Sequence, residues 1–173
     1  MNPWSHTIRL SELAHGPVSA KLEPDAATRA QIAKLLGLES VPALSAQFTV
    51  TEWLDGAEVK GRFTATVGQI CSVSADSFEE EVEGEIDLTA VPAGSPSAPV
   101  EPEGGEIELS LDAPDPPDVL EGDELDLGAY LVEHLELALD PFPRKPGAVF
   151  DYTPDEPIES PFAALKRLKD DGA

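Results

Sequence analysis

AQFTVTEWLDGAEVKGRFTATVGQIC, residues 46–71, is the stretch that decides the fold. Ala46, Phe48 and Val50 alternate with Gln47, Thr49 and Thr51, the period of a strand with one face buried. Asp55-Gly56 then reads as a two-residue type I′ turn, which needs positive φ at both positions. On the return, Val59, Gly61, Phe63, Ala65 and Val67 share one face, and Lys60, Arg62, Thr64 and Thr66 share the other. The segment is thus a long antiparallel hairpin with a polar and an apolar side.

A second alternating run follows from Phe78 to Leu88. Phe78, Val82, Ile86 and Leu88 fall on one parity with Glu80 and Gly84, while Glu79, Glu81, Glu83, Glu85 and Asp87 fall on the other. Neighbours on one strand face stand roughly 6.8 Å apart. Burying that row of like charges would oppose folding, so it faces water or a partner. Two readings stay open: a solvated face that protects an edge from wrong pairing, or a docking surface for something basic. Lys60 and Arg62, outward on the preceding strand, are placed to pair with part of the row.

Outward from this sheet the pattern turns helical. Residues 6–23 read as two short extended pieces around His15-Gly16-Pro17. Asp25, after Pro24, is an N-cap for a helix over Ala26 to Leu36, with Ile32, Leu35 and Leu36 on one face and Gly37 just past its end. Residues 91–105 have the composition of a flexible Pro/Gly/Ser-rich insertion. Residues 106–112 alternate again, with Ile107, Leu109 and Leu111 inward. The prolines of 113–118 exclude a central strand. Asp126 caps a helix over about 127–139, where Leu127, Leu131, Leu135 and Leu139 recur, and Asp140-Pro141 ends it. Residues 145–160 read as an extended segment before a short helix opened by Ser160-Pro161. The reading is α+β: one domain over 1–173, with an antiparallel sheet (hairpin 46–71 plus strands near 78–88 and 106–112) packed by two or three helices.

Charge is the other strong signal. The chain has 34 acidic and 11 basic residues and a formal charge of −23. The interval between Arg62 and Arg144 holds 21 of those acids and no lysine or arginine, whereas its flanks are nearly balanced. A localised anionic region repels phosphate backbones and attracts cationic partners. Cys71 is the only cysteine, which excludes an internal disulfide and a multi-cysteine zinc site. No apolar window is long enough to span a membrane, and the first residues lack a secretory pattern, so the expected compartment is cytoplasmic.

Catalytic signals are weak. There is no phosphate-binding glycine loop, no Gly-x-Ser-x-Gly elbow and no His-Glu-x-x-His. Cys71 at a strand end reads as a small buried hydrophobe. Glu133, His134 and Glu136 lack metal-ligand spacing and read as helix surface. The aspartates of 112–126 match no calcium loop. No cofactor, no catalytic residue and no small-molecule substrate is assigned. A metal-dependent hydrolase built on carboxylates, or an acidic nucleic-acid mimic, remains as an alternative class.

Three blocks in order carry a resemblance. They are Gly61-Arg62-Phe63-Thr64-Ala65-Thr66-Val67 followed by Gln69-Ile70-Cys71 and an acidic strand; Leu125-Asp126-Leu127-Gly128 leading through Val132-Glu133-His134-Leu135 to Pro141-Phe142-Pro143; and Ser160-Pro161-Phe162-Ala163-Ala164-Leu165-Lys166-Arg167-Leu168. Over roughly residues 45–169 the chain resembles the YceD family of large ribosomal RNA subunit accumulation proteins. The resemblance implies a non-enzymatic bacterial cytoplasmic protein that supports accumulation of large-subunit ribosomal RNA. Many relatives carry Cys-x-x-Cys at the first block, which implies metal binding there, and some carry cysteines after the Pro-x-Pro segment. This chain has Cys71 but Ser74, and Arg144-Lys145-Pro146-Gly147 at the second place.

Charge then selects between mechanisms. A direct RNA binder needs a basic stripe. The candidates are Lys60, Arg62, Arg144, Lys145, Lys166, Arg167 and Lys169, which would have to converge in space. The expectation favoured here is that Glu79, Glu81, Glu83, Glu85 and Asp87 engage a basic ribosomal protein or assembly factor, with contact to ribosomal RNA indirect.

Overall fold

The computed structural model describes residues 4–99 and 115–150. Its chain order is β1 (Thr7–Arg9), a 3-10 helix (Leu10–His15), β2 (Val18–Leu22), α1 (Ala26–Leu36), β3 (Ser40–Trp53), β4 (Gly56–Ile70), β5 (Ser77–Pro92), β6 (Asp118–Leu120), β7 (Glu124–Asp126) and α2 (Leu127–Ala138). The main sheet runs β2-β3-β4-β5-β6 and is antiparallel except where β6 joins β5 in parallel. This is the α+β architecture that the alternating segments predict.

The hairpin forms because each strand has one apolar parity. Ala46, Phe48 and Val50 of β3 and Val59, Phe63, Ala65 and Val67 of β4 are buried in one core with Ile86 and Ala90 of β5. Helix α1 packs on β3 and α2 on β5, adding Ile32, Leu127, Leu131 and Leu135 to that core. The opposite parity of the sheet, from Lys21 through Gln47, Thr49, Lys60, Arg62 and Thr64 to the acids of β5, is exposed. One face is therefore helix-covered and the other open.

Caps and glycines hold the helices where the sequence places them. Asp25 accepts from the Thr28 N–H at 2.8 Å, and Gly37 closes α1 with φ 68°. Asp126 Oδ1 accepts from the Gly128 and Ala129 N–H groups at 2.9 and 3.1 Å and from the His6 N–H at 2.9 Å. That last bond, with the β1–β7 pairing, ties the start of the chain to the start of α2.

The turn of the hairpin differs from the type I′ expectation. Trp53 pairs with Gly56, so the two loop residues are Leu54 and Asp55. Leu54 takes the positive φ, 52°, and Gly56 is extended and buried at the start of β4. The physical reason is crowding: a Cβ on Gly56 would lie 2.0 Å from the Ala90 carbonyl oxygen of β5. The glycine serves a close backbone approach, not a turn. Three other expectations shift. A 3-10 helix with buried Leu13 occupies the chain between the two extended pieces of 6–23. Leu35 is 50% exposed because Ile32 and Ala33 take the core side of α1. Strand β5 continues through Val91 and Pro92, into the stretch with linker composition, because Val91 is fully buried and Ala93 N–H bonds the Leu120 carbonyl. The strand expected at 106–112 and the helix expected after Ser160 lie outside the described residues, as does most of 145–160.

Candidate functional site

The acidic row is positioned by the β4–β5 register. Glu79, Glu81, Glu83, Glu85 and Asp87 stand opposite Gly68, Thr66, Thr64, Arg62 and Lys60. That register is locked from the core side, where the Phe63 ring lies over Gly84 and a Cβ there would be 2.6 Å from the ring carbons. With Gly84 pinned inward, strand alternation puts all five acids outward. All five are exposed.

Among the described residues, one close ion pair reaches this row. Arg62 Nη2 lies 2.5 Å from Glu85 Oε1. Lys60 instead bonds Glu58 Oε1, two residues away on its own strand, at 2.8 Å. Glu58 also accepts from Thr51 Oγ1 of β3 at 3.3 Å, which turns its carboxylate away from β5 and toward Lys60. The pairing lowers the Glu58 pKa and raises that of Lys60. The close contact of Lys60 is therefore with Glu58, while Asp87 across the ladder adds a weaker attraction that also raises the Lys60 pKa. Both partners of each pair are solvated, so these pairs add little to stability. Glu79, Glu81 and Glu83 face Gly or Thr across the ladder, and no ion pair involves them among the described residues.

Beside Glu81 and Glu83, a groove of about 850 Å³ opens at the sheet end, lined also by Glu23, Arg29, Ser45 and Thr64. Arg29 keeps its positive charge at this groove while its guanidinium is held by the Val41 and Pro24 carbonyls at 3.1 and 2.7 Å.

The basic candidates do not form one stripe among the described residues. Lys60 and Arg62 lie mid-β4. Lys145 pairs with Asp76 at 3.4 Å, just before β5 begins opposite Ile70. Eight strand residues separate that point from Arg62, roughly 27 Å. Arg144 is exposed next to Lys145. Lys166, Arg167 and Lys169 lie outside the described residues.

Cys71 is more than a packed hydrophobe. It is 2% exposed, and its Sγ accepts N–H groups from Val73 and Ser74 at 3.4 Å and from Lys145 at 3.3 Å. Hydrogen bonding from Ser74 above all, then from Lys145 and Val73, brings the thiol down to about 7. The loop is clasped further by Ser72 N–H to the Pro143 carbonyl at 2.8 Å, and by Ser74 Oγ to Asp76 Oδ2 at 3.1 Å. Spacing alone hides this clasp, since Asp76 and Lys145 are 69 residues apart. A metal at this loop does not fit the side chains present. Cys71 is a single thiol, the Ser74 hydroxyl donates to Asp76, and the Lys145 ammonium already pairs with Asp76 at 3.4 Å. No group of three or more His, Cys, Asp or Glu is arranged for a metal among the described residues. On α2, His134 Nδ1 is 2.9 Å from the Tyr130 carbonyl one turn back.

No helix among the described residues is long and apolar enough to cross a membrane. The profile of the family described as large ribosomal RNA subunit accumulation protein YceD matches residues 59–169, which takes in most of β4, the acidic β5, the Cys71 loop and α2. No curated protein and no solved structure matched the chain.

Proposed function

The chain belongs to the YceD family of large ribosomal RNA subunit accumulation proteins, and from that premise we propose that it acts in the bacterial cytoplasm as a non-enzymatic assembly factor. Its working surface is the open sheet face, and its direct partner is a basic ribosomal protein or assembly factor. Ribosomal RNA is then affected through that partner. The observation that carries the reading is the exposed row Glu79, Glu81, Glu83, Glu85 and Asp87, in which, among the described residues, Arg62 pairs closely with Glu85 and Lys60 stands across from Asp87, leaving the acids in excess. A rigid sheet presents the charges at fixed intervals, so a partner with matching cations loses little more entropy than its own. Phosphate backbones are repelled by the same field.

The test is crosslinked affinity purification from the native bacterium at low and moderate salt, with RNA and protein scored in one eluate. The proposal predicts basic ribosomal proteins or assembly factors that moderate salt releases, because exposed charge pairs beyond about 10 Å are screened at 0.1 M. Direct crosslinking of large-subunit ribosomal RNA to this chain would instead favour contact through Lys60, Arg62, Arg144, Lys145, Lys166, Arg167 and Lys169.

A further inference from the structure

Two turns that lie far apart in the chain meet at one sulfur. The first, between β4 and β5, closes where the Ala75 N–H bonds the Cys71 carbonyl at 2.9 Å, with Ala75 at φ 59°. The second follows α2 and closes where the Ala148 N–H bonds the Lys145 carbonyl at 3.0 Å, with Gly147 at φ 80°. Cys71 Sγ accepts the Val73 and Ser74 N–H groups of its own turn and the Lys145 N–H of the other. Beside it, the Ser72 N–H donates to the Pro143 carbonyl, and Asp76 Oδ2 takes both the Ser74 hydroxyl and the Lys145 ammonium.

Among the described residues, polar bonds more than burial join the second turn to the sheet. Arg144, Lys145, Pro146 and Gly147 are exposed, and Pro143 and Ala148 are half-buried. The buried side chain at the junction is Cys71 itself. A bound metal is another way to tie two small loops that share little core, and the family resemblance implies one here. The donor set does not supply it. A structural zinc site takes four ligands. Cys71 is the only thiol in the chain, and the hydroxyl and ammonium nearest to it in this cluster are both committed to Asp76.

We infer that this clasp holds the 143–148 turn on the β4–β5 loop without a metal ion: the Cys71 sulfur with its three N–H donors, the Ser72–Pro143 bond and the Asp76–Lys145 pair do the joining. The clasp is independent of which partner the acidic face takes. Being polar and largely at the surface, it opens locally before the core does. A metal tie and a hydrogen-bonded clasp would both fail if the sulfur were removed. A chelator opens only the first, and that difference is measurable.

The full chain is followed by amide hydrogen exchange with residue resolution, with zinc ion in excess, with chelator and with neither, and zinc retention is read by native mass spectrometry. Expected are protected Ser72 and Lys145 amides that neither zinc nor chelator affects, and no zinc retained. In Cys71→Ala both amides exchange about tenfold faster while Val59 and Val67 keep their protection. Ser72 bonds Pro143 and not the sulfur, so its exchange reads the joining of the turns and not merely the deleted acceptor. Zinc retained at one per chain, faster exchange under chelator, or unchanged Ser72 exchange in Cys71→Ala overturns the inference. If Cys71→Ala loosens Val59 and Val67 as well, Asp76→Asn decides, because the Asp76 side chain is 59% exposed and lies outside the core. Faster exchange at Ser72 and Lys145 in that variant supports the clasp, and unchanged exchange there overturns it.

Discussion

Replacing Gly56 by alanine tests the tightest backbone contact in the sheet. A Cβ at this position would sit 2.0 Å from the Ala90 oxygen, 2.9 Å from the Ala90 carbon and 2.9 Å from the Val91 Cα. Non-bonded heavy atoms settle at roughly 3.5–4.0 Å, so the strands must part by more than about 1 Å. All three neighbours are backbone of residues with no exposed surface, and none can swing away. Overpacking a core costs about 1–3 kcal/mol, and a ladder bond lost as β4 and β5 separate adds about 1 kcal/mol. Restricting the unfolded chain returns somewhat under about 1 kcal/mol. The net loss is about 1–3 kcal/mol, or roughly 2–12 °C in Tm for a chain of this size. Thermal and urea unfolding of Gly56→Ala and Gly56→Asn measures it. A turn glycine would tolerate asparagine, which adopts positive φ readily, whereas crowding against Ala90 rejects both. An asparagine variant as stable as wild type would refute the close-approach argument.

Two other expected outcomes follow from the loops that flank the sheet. Leu54 holds φ 52° and is 65% exposed, so Leu54→Asn relieves backbone strain with little burial lost and raises stability by about 1 kcal/mol in thermal unfolding; a fall in Tm would contradict this. The Cys71 thiol is lowered from 9.0 to about 7 in the folded chain. The folded state therefore favours the thiolate, which stabilises the protein above the unfolded pKa and is lost as pH falls through about 7. The Tm gap between wild type and Cys71→Ser is expected to widen from pH 7 to 9; a gap that is flat or narrows with rising pH would contradict it.

Local periodicity made most of the sheet legible. The parities of 46–51, 59–67 and 78–88 each pointed one face inward, and the β4–β5 register aligns them as the alternation requires. Asp25, Gly37 and Asp126 were legible because capping is a matter of a few neighbouring residues. What escaped was non-local. Gly56 looks like a turn residue because Asp-Gly usually is one, and only the approach of Ala90 from β5 shows its other role. The exposure of Leu35 depends on how α1 sits over β3, which helical spacing does not set. The exposure of the acidic row followed from its parity, but the parallel pairing of β6 with the end of β5 is set by a distant segment, and no pattern within residues 77–92 carries that. The clasp of Cys71 by Lys145 joins distant segments, and nothing in either one signals the other.

The most direct test of the central claim is the affinity of a purified mixture of basic large-subunit ribosomal proteins for immobilised wild type and for Glu81→Lys, Glu83→Lys, Glu85→Lys, at low and moderate salt. All three substitutions are on the exposed face; Glu85→Lys also sets a second cation opposite Arg62, so thermal unfolding of the variant is measured alongside to show that it is folded. The account predicts retention by wild type that falls with salt, and loss of at least about tenfold in affinity for the variant at low salt. Undiminished, salt-insensitive retention by the variant would contradict it.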